Sequence, residues 1–336
     1  MSTTSRSRPA ATIRDIAARA GVSVGTVSRA LRGQGGLSAE TRQHVLDVAS
    51  SVGYDHGRLR PARIRRVGFL LHGSHAGLAD NPFYFPVLQG VEAACRAAGI
   101  ACTYSSVSSP GEVAALLPLL EADGMICAGY WPPEILAEIV RTGRRVVLVD
   151  HAAADLPSVN TDNVSGAYHA TQHLIASGHA RIAMLTGSEA HVSIRQREEG
   201  YRRALRDAGL APDPALVIRR GEDTAEGNRA AARRLLALHP RPGAVFAYND
   251  HSALVLLQEC AAQGVAVPEH LAVVGFDDIT AAGYSRPGLT TVAVDKAALG
   301  REGVCLLLRP ASPERAQVTV PVRLVLRDSS AGRRGR

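Results

Sequence analysis

Gly25 and Arg29 stand four residues apart in SVGTVSRAL, which puts them on one face of a helix opening at Ser23. The chemistry this pair offers is recognition. A guanidinium donates two parallel hydrogen bonds, and guanine is its best-matched partner in duplex DNA. Glycine in a first helical turn costs about 1 kcal/mol relative to alanine. Its use there fits a close approach to a partner; a helix end is the other reason for it. Val24 offers apolar contact, for instance to a thymine methyl. Thr12, Ser23, Thr26, Ser38 and Thr41 can reach phosphates through hydroxyls or helix N-termini. Ser28 joins this DNA-facing set, and Arg32 adds a phosphate cation. Catalytic chemistry has no comparable signal. The chain lacks GxxxxGK[ST], GxGxxG after a strand and the GxSxG elbow. His169, His173 and His179 have no metal-type spacing with acids. The expectation is a protein without enzymatic activity, metal or cofactor.

Three short helices must hold these residues. Thr12 caps the first, whose apolar positions are Ile13, Ile16, Ala17 and Ala20, and Gly21 ends it. Ser23 caps the second, with Val27, Ala30 and Leu31 inward. Ser38 caps the third, with Val45, Val48, Ala49 and Val52 as its stripe and Gly53 as its stop. Two helices joined by a short turn containing glycine form a helix-turn-helix. Charge agrees with a nucleic-acid partner for this end. Residues 1–66 carry twelve Arg and four acids, a net of +8, out of +7 for the whole chain of 336 residues. Residues 1–11 are polar and read as a disordered arm, 12–54 as the DNA-binding head, 55–66 as a linker and 330–336 as a basic tail. The five cysteines (Cys95, Cys102, Cys127, Cys260, Cys305) are scattered, as buried free thiols in a reducing cytoplasm would be. The N-terminus has no signal-peptide core, and no apolar run approaches the ~20 residues of a membrane span.

From Val67 onward short apolar runs alternate with amphipathic helical stretches: VGFLL, 84–98, ACTYS, 111–120, GMICAG, 133–141, RVVLVD. A second array follows: 163–177, RIAMLTG, 194–208, ALVIRR, 224–238, AVFAYND, 250–263, LAVVGFD. Continuous apolar strands between helices mean parallel sheets covered on both faces. The fold class is therefore a small all-α helix-turn-helix domain followed by two doubly wound α/β subdomains. Such sheets bind ligands beyond the carboxyl ends of their strands. Asn249, Asp250, Asp277 and Asp278 fall there in the second array. Trp131, the only tryptophan, follows GMICAGY and reads as a cleft wall or as core.

TIRDIAARAGVSVGTVSRAL followed by LSAETRQHVLDVASSVGY resembles the lactose/galactose-type (LacI/GalR) repressors, and the likeness runs to Arg327. The resemblance implies a transcriptional regulator, a repressor working as a homodimer on a near-palindromic operator, with no membrane partner. It places the Ser23 helix in the major groove. It makes 67–329 a periplasmic-binding-protein-like effector and dimerisation domain. Its subdomains are then about 67–160 with 289–319 and 161–286 with 320–328, the chain crossing near 160–162, 286–289 and 320–321. In the family a hinge helix wedges a leucine into the minor groove; Leu59 or Ile64 is the candidate here, in a linker about four residues short and carrying Pro61. Asn81-Pro82-Phe83-Tyr84 matches the family's helix start, so Phe83 and Tyr84 are ring-stacking residues or core aromatics. SIRQREEGYRRAL matches its Arg-x-x-Gly-aromatic run, making Arg197 the ligand clamp with His191 and Ser193 on the same loop; Arg195 competes. Asp277 is the ligand aspartate, Asp250 and Asp278 orient neighbours, and Asp223 stands where relatives often carry an aromatic. With Asn249, these residues suit a polar effector, a sugar or a nucleoside. The alternatives are a regulator with an effector-independent domain, or a small-molecule binding protein outside gene regulation.

Overall fold

The computed structural model describes residues 11–31, 36–52, 54, 64–75, 82–153, 155–222, 224–309 and 316–331. The expectations for Arg32, Gly53, Leu59, Pro61, Asn81 and Asp223, and most of those for the arm, linker and tail, fall outside these residues. The chain forms two compact units.

The first is the helical head: α1 Ile13–Ala20, α2 Val24–Leu31 and α3 Ala39–Ser51. Each begins on a cap. Thr12 and Asp15 form a reciprocal capping box, the Asp15 carboxylate accepting the Thr12 amide at 2.8 Å. Ser23 Oγ accepts the Thr26 amide at 3.0 Å, and Ser38 Oγ the Thr41 amide at 3.1 Å. Gly21 closes α1 in the left-handed conformation, φ 67°. The three apolar stripes meet in a core of Ile16, Ala17, Ala20, Val27, Ala30, Val45, Ala49 and Tyr54. Ala11, read as the end of a disordered arm, packs against that core.

The second unit holds two sheets of one plan. The first lobe runs β1 Arg66–His72, α4 Tyr84–Ala97, β2 Ala101–Val107, α5 Pro110–Leu120, β3 Gly124–Ala128, α6 Pro133–Arg141, β4 Arg145–Val149 and β5 Ser158–Thr161. The second runs α7 Asn163–Ala176, β6 Ile182–Thr186, α8 Val192–Asp207, β7 Val217–Arg219, α9 Ala225–Leu236, β8 Ala244–Ala247, α10 Asp250–Ala262, β9 Ala272–Asp277, α11 Thr280–Tyr284 and β10 Thr290–Val294. Then α12 Lys296–Leu308, β11 Gln317–Val320 and β12 Val322–Val325 complete the pair. The strand orders are β11-β5-β4-β3-β1-β2 and β12-β10-β9-β8-β6-β7. Central strands are buried on both faces: Ile182 and Met184 of β6 enter one cluster, Ala183 and Leu185 another.

Five expectations are corrected. The second crossing comes at Asp295, not at 286–289, because β10 pairs with β9 and β12 in the second sheet while α12 packs on α4 and the first sheet. Close packing of α4 on α12 needs glycine: a Cβ on Gly90 would lie 2.1 Å from the Ala297 carbonyl oxygen. Next, β12 runs antiparallel to β10, whereas the other strand pairings are parallel. It follows β11 after Pro321 alone, and a parallel entry needs a far longer crossover. Ile64 is buried in the first lobe's core, so it cannot serve as a groove wedge. Ser330, assigned to the basic tail, is buried and bonds Thr290 Oγ1 at 2.8 Å. All five cysteines are free, but Cys305 is exposed.

Candidate functional site

Two regions carry the predicted site residues. On the head, the N-terminal face of α2 is open. Val24 is 47% exposed, although it is apolar. Gly25 is exposed, and a Cβ there would meet only Ser23 Oγ, at 3.7 Å. Among the described residues, no packing therefore requires glycine at this position. Arg29 is exposed and its Nε donates to the Gly25 carbonyl at 3.4 Å, which confirms that the two share a face. Thr12, Ser23 and Ser38 are exposed, and Thr26, Ser28 and Thr41 half-buried. The hydroxyls of Ser23 and Thr26, and of Ser38 and Thr41, are paired at 2.9 and 2.8 Å. They are caps first, and their exposed sides remain open to phosphate.

The second region is a cleft of about 860 Å³ between the two sheets, beyond the carboxyl ends of their strands. Phe83, Tyr84 and Asp150 line it from the first lobe, and His191, Ser193, Arg197, Asn249 and Asp277 from the second. Arg197 is its centre. The guanidinium is buried, with Nε donating to Asn163 Oδ1 at 2.9 Å and Nη1 to the Tyr248 carbonyl at 2.6 Å. Its plane lies 3.7 Å from the centroid of Phe276, and Nη1 is 3.3 Å from Asp277 Oδ1. Two carboxylates flank it. Burial pushes Asp277 up to about 6, against the pull of Arg197 and Lys296. Burial also raises Asp150, opposed by Arg197 and by the Tyr84 hydroxyl, which donates to Oδ2 at 2.9 Å. Tyr84 reaches it because residue 129 is glycine: a Cβ there would stand 2.7 Å from the phenol oxygen.

Rings close the other side. His191, from the second lobe, packs against Tyr130 at 4.8 Å and His75 at 5.7 Å, both from the first. Asn249 caps α10 by accepting the Ser252 amide at 2.9 Å, and Ser252 in turn donates to Asn228 at 2.8 Å. The result is a mixed surface of acceptors, guanidinium cations and ring faces. It can orient hydroxyls or ring nitrogens. Among the described residues, no cluster of His, Cys, Asp and Glu could hold a metal ion, and no helix is long and apolar enough to cross a membrane.

Most of the predicted set converges, and the exceptions have physical causes. Trp131 does not line the cleft; it is buried in the first lobe's outer core, with its indole N–H donating to the Ala128 carbonyl at 3.1 Å. Arg195 is exposed and turns back onto the carbonyls of Glu189 and Ala190, so of the two candidates it is Arg197 that lines the cleft. Asp250 and Asp278 orient neighbours as expected. Asp250 accepts the Ile279 amide at 2.9 Å, with burial raising it to about 8. Asp278 pairs with Arg327 at 2.8 Å. Sequence reasoning missed Asp150, Tyr248, Arg220, Asn228 and His75, which also line the cleft. Asp150 was findable: it ends RVVLVD as Asp277 ends VVGFD.

Residues 12–56 match bacterial regulatory proteins of the lacI family, and residues 171–330 match a periplasmic binding protein-like domain. The HTH-type transcriptional repressor CytR of Escherichia coli K12 is 33% identical over 307 residues, 89% of each chain. The HTH-type transcriptional regulator CelR of Thermobifida fusca is 33% identical over 333 residues, 96% of each. Among solved structures, a CelR-cellobiose complex superposes with a TM-score of 0.73 at 31% identity, covering 96% of this chain and 100% of that one. These relatives are transcriptional regulators rather than enzymes. With a helix-turn-helix head and two lobes around a polar cleft, the chain belongs to the LacI family of DNA-binding transcriptional regulators.

Proposed function

We propose that this regulator is a cytoplasmic, homodimeric repressor of a near-palindromic operator, released or engaged by a hydroxylated effector, a saccharide or a nucleoside. The reading is of a binding protein and not a catalyst. Its head spans 12–54 and its effector domain 67–329. Val24, Gly25 and Arg29 face the bases, while Thr12, Ser23, Thr26, Ser38 and Thr41 face phosphates and Ser28 belongs to the same DNA-facing set. The single observation that carries the effector reading is the convergence of Asp150, Arg197 and Asp277 in one cleft from two lobes. The relative crystallised with cellobiose makes that disaccharide the first probe. Closure of the lobes turns about the three chain crossings. By linkage, effector and operator must alter each other's affinity by one common factor.

A thermal-shift screen of saccharides and nucleosides, cellobiose included, tests this. A compound that raises the melting temperature should lose its effect in both Arg197→Met and Asp277→Asn. A stabiliser equally effective on both variants removes the cleft from the account. On the head, Arg29→Ala should cost about 1–3 kcal/mol of operator affinity and relax discrimination at one guanine per half-site. The check is a binding competition across single-base operator variants. Equal losses at every position would reduce Arg29 to a phosphate contact.

A further inference from the structure

Lysine and arginine number 38 in this chain, and Lys296 is the only lysine. Where arginine is the default cation, a lone lysine marks a place that a guanidinium does not fit. That place is buried: Lys296 is 8% exposed. Its ammonium donates to the carbonyls of Asp277, Asp278 at 3.2 Å and Val294 at 3.4 Å. Three donors meet three acceptors, which is the full capacity of an ammonium. A planar guanidinium cannot direct its donors to three carbonyls converging on one point.

We propose that Lys296 is a positioning residue of the cleft: its ammonium ties the backbone of Asp277 and Asp278 to the second crossing between the lobes and so fixes how Asp277 meets a ligand. Both aspartates hold left-handed backbone, φ 113° and 51°, which L side chains adopt only when their surroundings impose it. Asp250 secures the next amide, that of Ile279, at 2.9 Å, and Arg327 the Asp278 carboxylate at 2.8 Å. Lys296 supplies the third restraint, and it is the one that comes from the other lobe. It opens α12, which packs on the first lobe, and its Nζ lies 5.9 Å from the ring of Phe83 on the cleft's first-lobe wall.

The first crossing repeats the arrangement. Asp162 caps α7 as Asp295 caps α12, accepting from Ser165 at 3.1 Å where Asp295 accepts from Ala298 at 2.8 Å. Asn163 then bonds the carbonyl two residues back at 3.1 Å and holds Arg197, as Lys296 bonds the carbonyl two residues back and holds Asp277. These two crossings therefore each open with a residue that fixes one member of the Arg197–Asp277 pair. The role in ligand positioning rests on the cleft being the effector site; the clamp itself does not.

A single lysine makes the test direct. In the full chain labelled with 15N-lysine, the lone Nζ should show ammonium protons protected from exchange at neutral pH. Protons exchanging at the rate of an exposed lysine overturn the clamp, whatever any variant does. Lys296→Met should raise the titration midpoint of the Asp277 carboxyl, followed by 13C, by about one pH unit, because one neighbouring cation is lost while Arg197, Asp150 and Asp250 remain. Lys296→Arg should keep that midpoint near the wild-type value yet accelerate amide exchange at Asp278 and Ile279 at least tenfold. An unmoved midpoint in Lys296→Met, or wild-type exchange in Lys296→Arg, overturns the positioning role. If Lys296→Met does not fold, the Nζ signal and the arginine variant still decide. Should cellobiose and the other screened compounds fail to bind while Nζ is protected, the effector-cleft reading falls and the clamp stands.

Discussion

β4 of the first lobe and β9 of the second occupy the same place in sheets of matching strand order, and each runs out into an aspartate with left-handed backbone. Asp150 has φ 55° and Asp277 φ 113°. Burial raises both carboxyls, and Arg197 pulls both down. Their direct holders differ. A neutral phenol, Tyr84, donates to Asp150, whereas Asp277 has Arg197 beside its carboxylate and Lys296 on its backbone. The second lobe thus carries the fixed, ionic half of the cleft, and the first lobe contributes a carboxyl held by two hydroxyls, those of Tyr84 and Ser193. Because Arg197 belongs to the second lobe yet acts on both aspartates, opening the cleft separates it from Asp150 alone. A ligand that hydrogen-bonds Asp150 therefore favours closure without disturbing the Arg197–Asp277 pair, which is what a two-state device requires.

The harshest way to break this asymmetry is Arg197→Met. Two buried carboxyls would lose their shared cation, and Asn163 and the Tyr248 carbonyl would lose a donor. Removing one partner from a buried ionic cluster costs about 3–5 kcal/mol. Urea denaturation should show that loss at pH 7, and it should shrink as the solution is acidified and the carboxyls take up protons. A loss independent of pH would mean that packing on Phe276, at 3.7 Å, is what Arg197 provides.

Asp277→Asn probes the ionic half alone. The folded-state carboxyl sits at about 6 against an ordinary 3.8, so the folded state binds the proton more tightly. That contribution to stability is fully present below pH 3.8 and is lost as pH rises through about 6. At 1.36 kcal/mol per pH unit, the wild type should lose about 2 kcal/mol relative to the variant between pH 4 and pH 7. Parallel stability profiles for the two proteins over that range would show that Asp277 is not raised by burial.

Local signals explain what could be read from the sequence. The caps at Thr12, Ser23 and Ser38 and the stop at Gly21 depend on neighbours within four residues, and they stand where the sequence puts them. Strand ends are nearly as legible, so Asn249 and Asp277 were found by position, and Asp150 yields to the same rule. Two things are decided only by tertiary packing. Trp131 follows a strand as a cleft residue would, but its ring turns into the core beside Leu136 and Ile139. Thr290–Val294 is a short apolar run, and nothing in it states which sheet it joins; that misplaced the second crossing and hid the relation of Lys296 to Asp277.

Tyr84→Phe tests the neutral half. The variant keeps the ring against Phe83 and removes one hydrogen bond of 2.9 Å to a buried carboxyl. The expected loss is about 1–3 kcal/mol at pH 7. Since the hydroxyl lowers Asp150, its removal should raise that carboxyl further, and the loss should fade as pH falls through the raised Asp150 midpoint, above the ordinary carboxylate range. Asp277 should move far less than Asp150 and in the opposite sense, because Asp150 acts on it only through its charge, a point that 13C spectroscopy of the two carboxyls can check. A matching displacement of Asp277 would mean that the halves are one cluster and the contrast between lobes is false.

Arg195→Ala should have the smallest effect. Arg195 lies two residues from Arg197 on α8, but it is exposed and bonds the loop carbonyls of Glu189 and Ala190. Substitutions of this kind stay within about 0.5 kcal/mol. A stabilising saccharide should retain its thermal shift in this variant and lose it in Arg197→Met. The informative failure is a lost shift at unchanged stability. It would show that the 189–190 loop, which leads into His191 and its contacts with Tyr130 and His75, must be held in place for the cleft to close. In that case the second lobe would have a mobile lip beside its ionic centre, and the division between a fixed and an adjustable half would run through that lobe rather than between the two.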